Sequence, residues 1–227
     1  MTLTPYGRRE WGWTGLVAAA LAISAIPLDL PWLAIAAGLV WLGIAAFFRD
    51  PDRSLPDEPG VFTAPADGLV DDVAVLTGGE ACEQMGCARV HRIGIFLSVF
   101  DVHINRAPCA LTVTGEIHRP GGYRDARDPL ATRLNEAHTL VGTASADFGG
   151  GPVLVRQIAG LVARRIVCSV GPGSTLARGQ RYGMIKFGSR TELYLPEVPE
   201  IDVFIRPGTR VRGGVSLLAR YRATPPC

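Results

Sequence analysis

The sequence predicts a mainly β protein, with a β-sandwich or barrel-like body preceded by an N-terminal, membrane-associated α-helical hairpin. Two long apolar runs fill residues 13–48, and only Asp29-Leu30-Pro31 interrupts them. From Val61 onward, short β-type runs alternate with glycine and proline. Only residues 129–137 are typical of a short helix. We therefore assign residues 1–53 to the hairpin and residues 54–227 to a β-rich domain.

The hairpin is predicted from two uncharged segments, Trp13–Leu28 and Trp32–Phe48. Each segment is slightly shorter than the roughly 20 apolar residues of a membrane-spanning helix. Together they suit a helical pair with a turn near Pro31. Arginines at positions 8, 9, 49 and 53 flank the pair. The positive-inside tendency then places both ends and the body on the cytoplasmic side of the cell (inner) membrane. A cleaved signal peptide and a buried helical pair in a soluble protein are the alternatives.

Composition restricts the function classes. The net charge of +2 gives no sign of a nucleic-acid partner, and we expect none. Lys186 is the only lysine, which makes a lysine Schiff-base enzyme an unfavourable interpretation. The five cysteines are irregularly spaced, and Cys82 and Cys87 have no second pair with which to form a zinc site. They are expected to be free thiols in a reducing compartment, and no metal is expected.

The candidate strands follow one another at the spacing of an antiparallel β protein. They cover residues 68–76, 89–97, 110–118, 140–146, 153–158, 164–170, 181–187, 191–195, 202–205 and 215–220.

A short internal repeat lies in the second half of the chain. Pro172–Gly179 aligns with Pro207–Gly214, and both copies are typical of a turn that enters a strand. They resemble the turns of hybrid-motif β modules such as lipoyl domains, although the cofactor-bearing lysine of those modules is missing.

Two Gly-Ser pairs are candidates for a reactive hydroxyl. Glycine leaves the carbonyl before a serine sterically open, so the serine can attack its own backbone. Ser174 follows Gly173, but Thr209 occupies the same place in the repeat, and a turn hydroxyl explains both. Ser189, which follows Gly188 at the edge of an apolar run, is therefore the preferred nucleophile.

The residues around Ser189 resemble the short form of the phosphatidylserine decarboxylase family. The resemblance runs from about residue 45 to the C-terminus. It rests on blocks in the same order, namely Phe47–Pro51, Ala64–Gly68, Phe96–Pro108, Arg164–Cys168, Arg178–Arg190 and Tyr194–Pro196.

The resemblance implies a zymogen that cleaves itself. The Ser189 hydroxyl would attack the Gly188 carbonyl, and β-elimination from the ester would give a β chain of residues 1–188 and an α chain of residues 189–227. Loss of ammonia would convert Ser189 into a covalent pyruvoyl group, the only cofactor. This group would form a Schiff base with phosphatidylserine and promote its decarboxylation to phosphatidylethanolamine.

The resemblance also assigns roles to other residues. Asp67 and His103 would form a protease-like relay with Ser189, although Arg106 stands where long-form members carry a second histidine. Each of these two roles has a structural alternative. Asp67 could simply shape a turn, and His103 could be an ordinary core histidine. His103 would serve processing, decarboxylation or both.

The segment Arg119–Glu136 is either a solvated loop or an arginine-rich lip over an anionic head-group site. Asn135, Glu136 and His138 are candidate substrate contacts, and His138 is a second candidate base.

The expected partners are the phosphatidylserine substrate, the lipid bilayer and the two chains of one precursor, and a homo-oligomer is compatible with this interpretation. A membrane-tethered β module without catalysis and a hybrid-motif zinc peptidase are the rival hypotheses. The peptidase should carry a His-x-His pair, which this sequence lacks. A related lipid with an amino-acid head group, such as archaetidylserine, remains an alternative substrate.

Overall fold

The computed structural model describes residues 2–128, 130–161, 165–186 and 189–222. The chain forms two compact units, Met1–Asp52 and Arg53–Cys227. The second unit is mainly β, as predicted, and the first contains the predicted helical pair.

The first unit is built from two helices, α1 (Arg8–Ala25) and α2 (Pro31–Phe47), and two short paired strands, β1 (Thr2–Leu3) and β2 (Arg49–Asp50). Pro31 begins α2, where its missing N–H would have no helical partner. The Nε1 of Trp41 donates to the carbonyl of Trp11 at 3.1 Å and ties the helices together. Judged by length and hydropathy, none of the helices among the described residues qualifies as a membrane-spanning segment.

The second unit contains two short α-helices, one 3-10 helix (Ala146–Phe148) and fourteen strands among its described residues. The helices are α3 (Glu80–Met85) and α4 (Ala131–Leu134). The strands in chain order are β3 (Val61–Thr63), β4 (Gly68–Thr77), β5 (Arg89–Leu97), β6 (Ile104–Arg106), β7 (Leu111–Arg119), β8 (Ala137–Ala144), β9 (Pro152–Ile158), β10 (Arg165–Cys168), β11 (Thr175–Leu176), β12 (Arg181–Lys186), β13 (Ser189–Pro196), β14 (Ile201–Val203), β15 (Arg210–Val211) and β16 (Leu217–Tyr221).

An eight-stranded antiparallel sheet, curled into a half-barrel, dominates this unit. Its strand order is β11-β7-β8-β9-β13-β5-β4-β15. Two three-stranded sheets, β10-β12-β6 and β14-β16-β3, complete it. The apolar core contains Ile95, Leu193 and Val155 from the large sheet, together with Phe62 and Tyr182 from the small ones. Burial of this contiguous apolar surface is the main force that holds the sheets together.

The internal repeat is confirmed, and both copies make the same hydrogen bonds. Gly173 N–H donates to the Val113 carbonyl, and Val113 N–H donates back to the carbonyl of Ser174. In the second copy, Gly208 and Thr209 make the same exchange with Val70. Both glycines have φ of +88°, a left-handed conformation that favours glycine. β11 and β15 follow these turns.

Several element boundaries differ from the prediction by one to three residues, and two of the differences lie near the candidate site. The strand expected over residues 140–146 is β8, which begins three residues earlier because Ala137–Thr139 pair with β9. The helix expected over residues 129–137 is limited to α4 in the described residues, with Pro129 outside them. The expectation of free thiols holds for Cys82, Cys87, Cys109 and Cys168.

Candidate active site

The candidate residues gather at one end of the large sheet. β5 ends at Leu97, and Ser189 pairs with Leu97 as the first residue of β13. On the other side of β5, Leu69 of β4 pairs with Phe96, so Asp67 lies just before that strand begins. Ser189 and Asp67 therefore flank the carboxyl end of β5 from its two neighbouring strands.

Ser189 is completely buried, and its Oγ has no hydrogen-bond partner among the described residues. A buried hydroxyl without a partner is unfavourable, commonly by about 1–3 kcal/mol, so such groups need an explanation. Gly188, the predicted acyl side of the cleavage site, lies outside the described residues, as does Phe187. The free Oγ is the property expected of a nucleophile that is not engaged in structural bonding.

The next residue, Arg190, fixes the direction in which Ser189 points. The Nε of Arg190 donates to Glu192 at 2.8 Å, and the guanidinium also pairs with Asp71. Because side chains alternate along a strand, Ser189 projects to the opposite face of the sheet, together with Thr191.

His103 follows a compact loop at the same end of the sheet. Asp101 shapes this loop, because its Oδ2 accepts hydrogen bonds from the N–H and Oγ of Ser98 at 2.8 and 2.7 Å. The fully buried His103 ring has its Nδ1 2.9 Å from the backbone carbonyl of Asp101. Since a carbonyl can only accept, Nδ1 carries the proton in the neutral ring, and Nε2 is left as the basic nitrogen.

A buried polar network joins the strands behind these two residues. Asn105 Nδ2 donates to Thr191 Oγ1 at 3.0 Å, and Gln157 Nε2 donates to Asn105 Oδ1 at 2.8 Å. Asn105 and Thr191 lie two residues after His103 and Ser189, respectively. In addition, the N–H of Ile185 in β12 donates to the His103 carbonyl at 3.3 Å. These contacts place His103 and Ser189 at the same end of the paired sheets.

Asp67 has different partners from those of a protease aspartate. Its Oδ2 pairs with Arg53 at 2.7 Å, and its Oδ1 accepts from the N–H of Gly213 at 2.7 Å. Burial raises the pKa of the Asp67 carboxyl, although Gly213 and Arg53 partly oppose the shift. The His103 Nδ1 bonds to a backbone carbonyl instead. The structure thus brings Asp67 to the site without the direct aspartate–imidazole contact that the predicted relay implies.

The three candidate substrate contacts are held by local partners. Asn135 is fully buried, and its amide bonds to the backbone of Arg124 and Ala159. Glu136 accepts from Tyr123 and faces His118. These contacts hold residues 119–136 against the sheet end that carries Ser189, because Ala159 N–H also bonds to the Glu136 carbonyl. Their role in substrate binding stays a prediction.

His138 has the features of a base or a ligand. Its Nε2 is 3.4 Å from Glu116, while its Nδ1 is buried without a hydrogen-bond partner among the described residues. Burial lowers the pKa of this imidazole, with Glu116 acting in the opposite direction. Ligand atoms of Glu116, His138 and Cys168 all lie within 4.8 Å of one another. A carboxylate, an imidazole and a thiol are a donor set suited to Zn²⁺.

Sequence reasoning missed Arg53, Asn105, Gln157 and Thr191 as parts of the site. The sequence does indicate such a network, because polar residues interrupt apolar runs that form the core. Gln157, between Val155 and Ile158, is an example. A buried polar side chain requires a partner, which makes such positions candidates for a network.

Comparisons with known proteins agree with the resemblance found in the sequence. The family model described as phosphatidylserine decarboxylase matches residues 43–219. A phosphatidylserine decarboxylase proenzyme of Gluconacetobacter diazotrophicus is 42% identical over 204 residues, which cover 89% of this chain and 88% of that protein. Proteins of the same name from Symbiobacterium thermophilum and Carboxydothermus hydrogenoformans are 42% and 38% identical. These two alignments cover 92% and 94% of this chain, and 93% and 96% of the relatives.

Proposed function

The chain belongs to the phosphatidylserine decarboxylase family, and we propose that it cleaves itself before Ser189 and then decarboxylates phosphatidylserine to phosphatidylethanolamine. The observation that carries this proposal is the buried Ser189 Oγ, which lacks a hydrogen-bond partner among the described residues. The matched relatives are named proenzymes, which agrees with a chain that must be processed.

Processing begins with the Ser189 hydroxyl. Its Oγ attacks the Gly188 carbonyl, the C–N bond breaks, and the acyl group passes to oxygen as an ester. Removal of the Ser189 α-proton then expels the Gly188 carboxylate and leaves a C=C bond at the new N-terminus. Tautomerisation to an imine and addition of water release ammonia, so that residue 189 becomes a pyruvoyl group.

His103 is the proposed base for the first step. Serine hydroxyls are weak nucleophiles until a neighbouring base removes their proton. The Asp101 carbonyl holds the Nδ1 proton of His103, so Nε2 can accept the proton of Ser189. Asp67 lies near the same end of the sheet, where its Oδ2 pairs with Arg53, and we propose that it supports this step without touching the imidazole directly.

The buried position of residue 189 suits a reactive carbonyl, because the surrounding strands limit the access of water. A pyruvoyl ketone there supplies an electron sink for decarboxylation of an amine-bearing substrate. In this second reaction we propose that His103 returns a proton to the substrate α-carbon. The segment 119–136, with Asn135, Glu136 and His138, would border the head group.

The helices of the first unit are proposed to associate with a membrane. From Trp11 onward neither helix carries a charged side chain, and Trp13, Ile23, Trp32 and Leu39 are each more than 60% exposed. Such a surface is unfavourable in water and is typical of contact with lipid. The flanking arginines favour the cytoplasmic face of the inner membrane.

The activity is tested with the purified full-length protein and vesicles that contain phosphatidylserine. We expect release of carbon dioxide with an equal amount of phosphatidylethanolamine, and no activity from Ser189→Ala. Ser174→Ala is the matched control and should retain activity, since the Ser174 Oγ accepts a turn hydrogen bond from Gly171 N–H. A processed protein that forms no phosphatidylethanolamine would disprove the assigned substrate.

A further inference from the structure

We infer that Glu116, His138 and Cys168 of the β-rich unit form a binding site for Zn²⁺, which we call the bridging site. The inference goes beyond the proposed function and is independent of it, because its test needs no decarboxylation. The sequence predicted no metal, since Cys82 and Cys87 lack a second cysteine pair. The donors of the bridging site lie on three separate strands, so no spacing motif indicates them.

Strand pairing brings the three donors together. Glu116 of β7 pairs with Leu140 of β8, and His138 lies two residues before Leu140, so Glu116 and His138 share one face of the large sheet. Cys168 ends β10, which belongs to a small sheet. The ligand atoms of all three residues nevertheless lie within 4.8 Å of one another. The bridging site therefore joins the large sheet to a small one.

The distance between His138 Nε2 and Glu116 Oε2 suits a shared metal ion. The two atoms are 3.4 Å apart, which exceeds the roughly 2.7–3.2 Å of a typical N–H···O hydrogen bond. Zn²⁺ binds nitrogen and oxygen at about 2.0–2.2 Å, and two tetrahedral ligands at that distance are about 3.4 Å apart. Because Cys168 Sγ is already close, a small side-chain rotation brings it to the about 2.3 Å of a Zn–S bond.

The surroundings of His138 also suit a metal-bound imidazole, which normally donates its other ring N–H to an acceptor. With Nε2 on the metal, Nδ1 carries the proton, and this atom is buried without a hydrogen-bond partner among the described residues. Gln157 of β9 lies directly opposite His138, and in the same part of the chain its Oε1 is also buried and unpartnered. Directly opposed side chains are neighbours on one face. Gln157 is therefore the available acceptor.

Charge and chemistry select Zn²⁺ for this site. Thiol and imidazole donors favour zinc over Mg²⁺ or Ca²⁺, which prefer oxygen ligands. Binding displaces the Cys168 thiol proton to solvent, so the thiolate and the Glu116 carboxylate together balance the charge of the ion. The Glu116 side chain is 45% exposed, which gives the ion a path from solvent. Water or the exposed His118, which pairs with His138 across β7 and β8, can take the fourth position.

The expected role of the ion is structural. Cys168 pairs with Gly183, and Arg165 of the same strand pairs with Lys186, the last residue of β12. An ion that holds Cys168 against β8 therefore restrains β10 and β12 relative to the large sheet. In addition, Gln157 Nε2 donates to the carbonyl of Val167 at 3.4 Å, so the acceptor beside His138 already contacts β10.

Zn²⁺ titration of the purified full-length protein, first stripped with a chelator, tests the site by calorimetry. The parent should bind one Zn²⁺ more than Cys168→Ser. Cys168→Ser and Glu116→Gln should each weaken this binding at least about 100-fold, since loss of an outer partner alone costs about 10–100-fold. Glu116 is exposed, so Glu116→Gln should fold even if Cys168→Ser does not. Cys87→Ser, which alters another half-buried free thiol, is the matched control and should keep the bridging site.

Thermal unfolding gives the second readout. Saturating Zn²⁺ should raise the Tm of the parent by several degrees relative to the chelator-treated protein, because a ligand that binds the folded state stabilises it. This shift should disappear in Cys168→Ser and Glu116→Gln and persist in Cys87→Ser. A parent that binds no Zn²⁺, or a Cys168→Ser protein that binds Zn²⁺ as the parent does, would overturn the inference. Binding lost in both variants but without any Tm shift in the parent would refute the structural role.

Discussion

The side-chain amide of Asn105 donates a 3.0 Å hydrogen bond to the hydroxyl of Thr191, and this contact ties β6 to β13 behind the candidate active site. Both residues are completely buried. His103 precedes Asn105 by two residues, and Ser189 precedes Thr191 by two residues. The contact therefore sets the relative position of the proposed base and the proposed nucleophile.

Asn105→Ala should slow self-cleavage by at least tenfold. The substitution leaves Thr191 Oγ1 without its buried partner, which costs about 1–3 kcal/mol, and removes the shorter of the two hydrogen bonds that Gln157 Nε2 donates. The fraction of cleaved chain over time, measured on a denaturing gel, gives the effect. Thr191→Ser is the control, because it keeps a hydroxyl that can accept from Asn105. A rate equal to that of the parent in Asn105→Ala would show that the network does not position the site.

His103→Ala should slow processing by about 10²–10⁴-fold, the usual contribution of a general base. Prolonged incubation should still yield some processed protein, and its decarboxylation rate tests the second role. We expect a comparable loss there, because His103 is the proposed proton donor to the substrate. Normal turnover by fully processed His103→Ala would remove His103 from decarboxylation and leave it a role in processing alone.

Arg53→Gln should raise the lowest pH at which the protein still cleaves itself. Burial already raises the Asp67 pKa, and Arg53 lowers it in part, so removal of Arg53 raises the pKa further. If ionised Asp67 supports the reaction, processing is lost as pH falls through this pKa, and the midpoint of the loss should shift to higher pH. Processing rates across pH measure the shift. Arg89→Gln, which alters an exposed pair with Glu197, should leave the profile unchanged.

Gly68→Ala should destabilise the β4–β5 pairing beside Asp67. A Cβ at this position would lie 2.2 Å from the Phe96 carbonyl oxygen, and backbone atoms cannot yield as a flexible side chain can. Overpacking of this kind costs about 1–3 kcal/mol. A thermal melt should show a lower Tm, whereas Gly115→Ala in β7 should not, because nothing lies within 4 Å of its added Cβ. An unchanged Tm for Gly68→Ala would contradict the close approach.

The long strands were predictable because their residue patterns are local. β5 was predicted at its observed bounds, since Arg89–Leu97 alternates buried apolar positions within one uninterrupted run. The turn role of Ser174 was also predictable, because the second copy of the repeat carries Thr209 at the same place. The strand inference needed only neighbouring residues, and the turn inference needed only the alignment of the two repeat copies.

Features that depend on distant partners escaped prediction. β6 has three residues and exists because β12 pairs with it. The polar start of β8, which includes His138, resembles a loop in sequence and becomes a strand through pairing with β9. The bond between Arg53 and Asp67 joins residues whose relation no local spacing rule describes. These strands and contacts therefore depend on pairing between distant residues, which the periodicity of a local sequence does not reveal.

The central claim is that residue 189 is a serine only in the precursor, and the intact mass of the purified full-length protein tests it most directly. The account predicts two fragments, residues 1–188 and residues 189–227, with the second lighter than a seryl fragment by the mass of ammonia. Ser189→Ala should remain one chain, and Ser174→Ala should be cleaved. A parent protein that stays a single uncleaved chain of 227 residues would contradict the account.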